Sequence, residues 1–192
     1  MKRRQILSLA ASGYALTPLM LQAQTPTTAA LPDIAQLLRA GACAVMLRHA
    51  QTEPGIGDPP GFQLDQCNTQ RNLSAAGREQ AQQIGQWFKV NNLTPASVQT
   101  SAWCRCKETA ELGFGRFAVL GALGSFFDNR SSQDSQIREL RARLQTIPAS
   151  QFEVWVTHQV NITALTGEVP AMGEAVLFSS KAKLLGRSLF TL

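Results

Sequence analysis

The chain has 192 residues, 44% of them hydrophobic, which suits one domain with a proper core and excludes global disorder. Its formal net charge is +5, but Lys2, Arg3 and Arg4 supply three of those charges; without them 15 basic residues face 13 acidic ones, a net of +2. No basic block or aromatic-basic ladder remains, so nucleic acid is excluded as a partner.

Residues 1–23 have the layout of a cleaved secretory signal peptide. Lys2-Arg3-Arg4 is the charged n-region, Ile6 to Leu21 is mostly apolar and small, and Leu21-Gln22-Ala23 is an acceptable cleavage tripeptide. Ser8, Ser12, Gly13 and Pro18 interrupt the run and make it a poor spanning helix, and no later segment is apolar for long enough to span a bilayer. Arg3-Arg4-Gln5-Ile6-Leu7 also looks like a twin-arginine signal, so both the general secretory and the twin-arginine routes stay open. Either route predicts a periplasmic or secreted protein. Residues 24–32, rich in Thr, Ala and Pro, read as a flexible leader, and residues 33–192 as the folded domain.

Asp33 caps a predicted helix that runs to about Ala40 and ends at Gly41. Ala42 to Leu47 is then a short apolar run stopping abruptly at Arg48 and His49, the pattern of a strand buried on both faces of a parallel sheet. From Gln51 to Arg71 come Pro54, Gly55, Gly57, Pro59, Pro60 and Gly61 without periodicity, and loops this long inside compact domains are usually functional. Ser74 caps a helix to about Asn91 whose Ala81, Ile84, Trp87 and Phe88 recur at helical spacing.

Ser97 to Ser101 is a short predicted strand, a helix opens near Cys104 and runs to Gly113, and Phe117 to Leu120 makes another brief strand. Gly121 to Arg130 is a second irregular segment, followed by an amphipathic helix over Ser135 to Leu144. Phe152 to Thr157 is the clearest later strand, and it too ends in a histidine, His158. A helix over Ile162 to Thr166 and closing strands over Ala175 to Phe178 and Ser188 to Leu192 complete the chain. This alternation of strand and helix specifies an α/β fold, with antiparallel strands admitted at the end.

Four cysteines suit an exported protein. Cys43 lies inside the first apolar strand and reads as a small core residue. That leaves a bridge from Cys67 to either Cys104 or Cys106, a choice the sequence does not make. Cys104-Arg105-Cys106 lacks the two-residue gap of a zinc knuckle, which argues against a metal site.

The chemistry gathers at strand ends. Ligands in open α/β sheets collect beyond the carboxyl ends of strands. The first strand delivers Arg48 and His49 there, the second leads to Arg105, and the strand after Phe152 delivers His158; these two are the chain's only histidines. Positive groups without an adjacent carboxylate suit a phosphoryl group, clamped by two arginines and one histidine while the other histidine attacks it. The cationic surround neutralises the equatorial oxygens, so no metal or other cofactor is required. Two histidines without a matched carboxylate are a poor site for a divalent cation.

Leu47-Arg48-His49-Ala50-Gln51-Thr52 resembles the Leu-Arg-His-Gly-Glu-Thr signature of the histidine phosphatase superfamily, which includes the phosphoglycerate mutases. Asn72-Leu73-Ser74-Ala75-Ala76-Gly77-Arg78-Glu79-Gln80-Ala81 is similar to its Leu-Thr-x-x-Gly-x-x-Gln-Ala helix opening. Ser101 to Ala110 is similar to its Ser-x-x-x-Arg-x-x-x-Thr-Ala segment, and Thr157-His158 to its second catalytic histidine. The four segments follow the family's order over residues 43–178. Ala50 stands where glycine is usual and Gln51 where glutamate is usual, and Gln159 rather than an acid follows His158. This disfavours the subfamily whose acid directly follows the second histidine.

The resemblance implies a phosphoglycerate mutase-like three-layer sandwich, with a mostly parallel mixed sheet flanked by helices. It implies a metal-independent phosphoric monoester hydrolase of the histidine acid phosphatase type, with His49 as phosphorylated nucleophile and Arg48, Arg105 and His158 as the phosphate pocket. Asp128, in the loop after Arg105, is the chosen proton donor, with Glu53 and Asp58 as lesser candidates. The expected partner is a small phosphorylated substrate, the phosphorylated sugars of a cell envelope being one class an exported enzyme would meet. The competing expectation is a phosphate- or phosphosugar-binding protein of the same fold with little or no turnover. Phe126 and Phe127 are read as anchoring their loop to the core rather than lining the pocket, Trp103 as either core or pocket, and Arg71, Lys107 and Arg116 as solvated surface charges rather than an extension of the positive field toward a larger anion. Oligomeric state is not specified.

Overall fold

The computed structural model describes residues 33–190; the expected signal peptide and leader, and residues 191–192, lie outside this range. In chain order the first half forms α1 (Ile34–Ala40), β1 (Cys43–Arg48), α2 (Ala75–Val90), β2 (Ser97–Thr100) and α3 (Cys104–Phe114). The second half adds β3 (Ala118–Val119), α4 (Gln133–Leu144), β4 (Phe152–Thr157), α5 (Gln159–Thr166), β5 (Ala175–Ser179) and β6 (Leu184–Ser188). The six strands make one mixed sheet in the order β3-β2-β4-β1-β5-β6. The first four neighbours run parallel, β5 pairs antiparallel with β1, and β6 pairs antiparallel with β5.

β1 is apolar from Cys43 to Leu47 because it is central and covered on both faces. Cys43, Val45 and Leu47 join a core with Leu38 of α1, Ile84 and Phe88 of α2 and Ala110 of α3. Ala44 and Met46 face the opposite core, with Leu140 and Leu144 of α4 and Ile162 of α5. The result is the expected three-layer sandwich. Ser74 caps α2 by accepting a hydrogen bond from the Gly77 amide, and Asp33 caps α1 through Ala35. α2 and α3 cross at Gly85 and Gly113, where a Cβ on Gly85 would overlap the Gly113 carbonyl.

Two elements differ from expectation by three residues or more. The closing strand is Leu184–Ser188, not Ser188 to Leu192: a turn through Ala182, in the left-handed region, folds it straight back on β5. The apolar tail that suggested a strand instead inserts Phe190 into the core, 4.6 Å from Trp87 and 5.0 Å from Phe88 between ring centres. α5 starts three residues earlier than expected, at Gln159, so His158 sits at its N-cap.

Cys67 is bonded to Cys104, and Cys43 and Cys106 are free and buried. Cys104 opens α3 on the side of the long β1–α2 loop, while Cys106 points at the sheet, its thiol 3.6 Å from the Thr157 carbonyl. Burial pushes the Cys106 thiol up to about 12 and the Cys43 thiol up to about 11, so both stay protonated and unreactive. The bridge spans 37 residues of sequence. Removing it as the double variant Cys67→Ser/Cys104→Ser is expected to cost about 4 kcal/mol. Equilibrium denaturation without reductant checks this, and unchanged stability would contradict it.

Candidate active site

β2, β4 and β1 are adjacent and parallel, so their carboxyl ends open on one edge of the sheet. Arg48 ends β1 opposite Thr157 of β4, which places His49 and His158 side by side one residue later. Their rings lie 5.6 Å apart between centres, and both residues are buried. Arg105, the second residue of α3, reaches the same point from the end of β2 and is 4% exposed. With Arg71 these side chains line a cavity of about 180 Å³.

The backbone around His49 is fixed from several sides. The His49 amide donates to the Thr157 carbonyl at 2.9 Å, extending the β1–β4 ladder. The Ala50 amide donates to Thr109 Oγ1 at 3.1 Å, and Thr109 in turn donates to the Arg105 carbonyl at 2.7 Å. Gly77 brings α2 directly against Gln51, where a Cβ would overlap its carbonyl. The Arg-x-x-x-Thr spacing and the helix-opening glycine thus both serve the segment just after the histidine.

The tautomers follow from the partners. His49 Nδ1 lies 2.9 Å from the Ala50 carbonyl, an acceptor, so Nδ1 carries the proton and Nε2 the lone pair. His158 Nδ1 faces Arg105 NH2 at 3.4 Å, and because guanidinium only donates, Nδ1 is the acceptor. His158 Nε2 then donates to Ser101 Oγ at 2.8 Å. Burial first, then the Arg105 charge, pushes His49 down to about 3 and His158 well below its usual value. Both rings are neutral at working pH, as a nitrogen nucleophile requires.

Buried neutral histidines couple stability to pH. Their folded pKa values lie below the unfolded 6.5, so below that pH the unfolded chain takes up protons that the folded one refuses. Their contribution is complete above about pH 6.5 and falls on acidification toward pH 3, by up to about 1.4 kcal/mol per pH unit for each histidine. Thermal melts from pH 7.5 to 4.5 should show this loss, and His49→Gln should flatten the slope; an identical slope in that variant would contradict the assignment.

Arg48 is anchored by donating from NH1 to the Pro170 carbonyl at 2.7 Å. Arg71, expected as a solvated surface charge, instead lines the cavity, held by a 2.6 Å bond from NH1 to the Gly55 carbonyl. Its loop position hid this, since no periodicity reports where a loop returns to a site. Lys107 lies away from the cavity, and Arg116 bonds the Pro95 carbonyl.

The carboxylates divide differently from expectation. Asp128 lies on the cavity rim, exposed, with Phe127 beside it. Phe126 is buried and anchors the loop, but Phe127 is half exposed at the mouth, so only one of the pair behaves as a core anchor. Glu53 is exposed and outside the cavity lining. Asp58 turns a buried side chain into the lining, and its Oδ1 accepts from Arg105 NH1 at 2.7 Å. Burial opposes its ionisation, but Arg105, with the Arg71 amide and Trp103, holds its carboxyl below the usual value. Trp103 belongs to the site, its ring 5.1 Å edge-on from His158. Among the described residues no cluster of three or more His, Cys, Asp or Glu is arranged to hold a metal ion, and no helix is long and apolar enough to cross a membrane.

The family model of the histidine phosphatase superfamily (branch 1) matches residues 44–118, a span that holds Arg48, His49, Arg71 and Arg105; His158 lies beyond it. A search of curated protein sequences finds no match. Among solved structures, an Escherichia coli protein described as an alpha-ribazole-5′-phosphate phosphatase aligns with TM-score 0.54 and 17% identity, covering 78% of this chain and 98% of that one. SixA of Agrobacterium tumefaciens, described as a phosphohistidine phosphatase, aligns with TM-score 0.52 and 18% identity over 77% of this chain and 97% of its own. A Thermus thermophilus protein, TTHB049, aligns with TM-score 0.53 and 17% identity over 78% and 99%. At these identities the likeness is one of fold.

Proposed function

We propose that this chain, whose residues 44–118 match the histidine phosphatase superfamily model, is a metal-independent phosphatase that hydrolyses a phosphomonoester through a phosphohistidine at His49. The observation that carries the reading is the His49 ring itself: neutral, its Nδ1 proton tied to the Ala50 carbonyl, its Nε2 lone pair free beside three arginines. Nε2 attacks phosphorus as the bond to the leaving oxygen breaks. Arg48 and Arg105 donate to the equatorial oxygens and neutralise their charge in the transition state, and His158 joins this clamp by taking up a proton at Nδ1, the ring nitrogen that faces Arg105. Asp128, at the rim, supplies the proton to the leaving oxygen and then takes one from the water that attacks the phosphohistidine. Inorganic phosphate leaves and Nε2 is regenerated.

The signal-like N-terminus and the Cys67–Cys104 bridge support a periplasmic or secreted protein. There the substrate is a small phosphorylated compound, with envelope sugar phosphates the first class to test. The neighbours' descriptions add phosphohistidine and a nucleoside-like 5′-phosphate to the panel. The other reading, a phosphate-binding protein with little turnover, draws on one observation: Asp58, the carboxylate buried in the cavity, is committed to Arg105 and unavailable as an acid.

The test is a panel of these phosphomonoesters with wild type and His49→Ala in excess chelator. Phosphate release by wild type alone is expected. Phosphate binding by wild type without release from any compound would favour the binding protein.

A further inference from the structure

Asp58 is built into the site more thoroughly than a loop residue requires. Its side chain is 3% exposed and accepts three hydrogen bonds. Oδ1 takes Arg105 NH1 at 2.7 Å and the Arg71 amide at 3.0 Å, and Oδ2 takes Trp103 Nε1 at 3.0 Å. Among the described residues it is the only acidic side chain paired with an arginine of the cavity.

Each bond has a consequence at the phosphate position. With NH1 committed to Asp58, the Arg105 guanidinium cannot rotate, and its NH2 is left beside His158 Nδ1, where the phosphoryl oxygens must sit. The bond to Trp103 fixes the indole whose edge packs on His158. The bond to the Arg71 amide fixes the base of the third cavity arginine. The loop carrying Asp58 is itself tied to α3 by the Cys67–Cys104 bridge and by Gln70 Oε1 accepting from the Cys104 amide at 2.9 Å. Charge points the same way. Arg48, Arg71 and Arg105 bring three positive charges to the inner part of the cavity and Asp58 removes one; leaving aside Asp128 at the rim, the remaining +2 matches a phosphate dianion when both histidines are neutral.

We infer that Asp58 is a positioning and charge-setting residue for phosphoryl transfer: it aims Arg105 and braces His158 from the first loop, and does not serve as the proton donor. This rests on the phosphatase reading for its kinetic consequence and on the cavity geometry alone for its binding consequence, and the two separate in the test.

The variant is Asp58→Asn, which keeps the volume and removes the charge, measured with p-nitrophenyl phosphate and, by calorimetry, inorganic phosphate. Misaiming Arg105 should lower kcat by about 10- to 100-fold. The uncompensated cavity charge should leave phosphate binding as tight as in wild type or tighter. A merely structural role moves both together, so a parallel loss of kcat and phosphate affinity would overturn the inference, as would an unchanged kcat. If Asp58→Asn does not fold, Trp103→Phe, which removes the bond to Oδ2 while keeping an aromatic ring beside His158, should lower kcat by about two- to five-fold with phosphate affinity retained; no change in kcat would count against the inference. Should wild type bind phosphate yet turn over nothing, the phosphatase reading falls and binding decides alone: weaker phosphate binding by Asp58→Asn then overturns this assignment.

Discussion

Replacing His49 by alanine is expected to lower phosphomonoester turnover by about 10⁴-fold or more, the scale of losing a nucleophile. The fold should survive, because β1 is held by its ladders with β4 and β5 and by Gly77 against Gln51, none of which uses the imidazole. Arg48, Arg105 and His158 remain in place, so inorganic phosphate should still bind. This separates the nucleophile from the clamp. Retained turnover in a folded His49→Ala protein would remove the proposed chemistry, whereas loss of phosphate binding along with turnover would point to a collapsed site.

Arg105→Ala is expected to fail twice. Losing a charged donor aimed at the developing oxyanion should lower kcat by about 10²- to 10³-fold. It also leaves Asp58 as a buried carboxylate without its cation, and breaking a buried pair in this way costs about 3–5 kcal/mol. With Arg105 gone, burial dominates and the Asp58 carboxyl should rise, so the variant's stability should recover partly in the double variant Arg105→Ala/Asp58→Asn. Activity should not recover. Chemical denaturation of the two variants beside wild type checks the pair, and equal stability of single and double variants would contradict the coupling.

The sequence announced the site where chemistry coincided with regular structure. Arg48, His49 and His158 follow apolar runs whose ends are sharp, and the parallel pairing of β1 and β4 brings them together as the strand-end rule implies. Arg105 was legible for the same reason, on a helix opening just after β2. The pairing of Asp58 with Arg105 and the place of Arg71 in the cavity were not, because both residues lie in a loop whose return path is set by a disulfide, a glutamine contact and backbone hydrogen bonds rather than by periodicity. The choice of Cys104 over Cys106 was hidden for a related reason: residues two apart on a helix face different ways, and which way depends on where the helix lies against the sheet. The misplaced last strand shows the converse. Phe190 is apolar because it fills the core beside Trp87 and Phe88, not because it extends a sheet, and Leu189 next to it is exposed.

The central claim is a covalent phosphate on one nitrogen of one residue. Wild type mixed with a ³²P-labelled phosphomonoester that it hydrolyses, quenched in alkali within the turnover time and digested, should carry label on the peptide containing His49. The label should be lost in acid and kept in base, and NMR should place it on Nε2, since Nδ1 is occupied by the Ala50 carbonyl. Label on His158, an acid-stable phosphate, or no label in an enzyme that turns over the substrate would contradict the account.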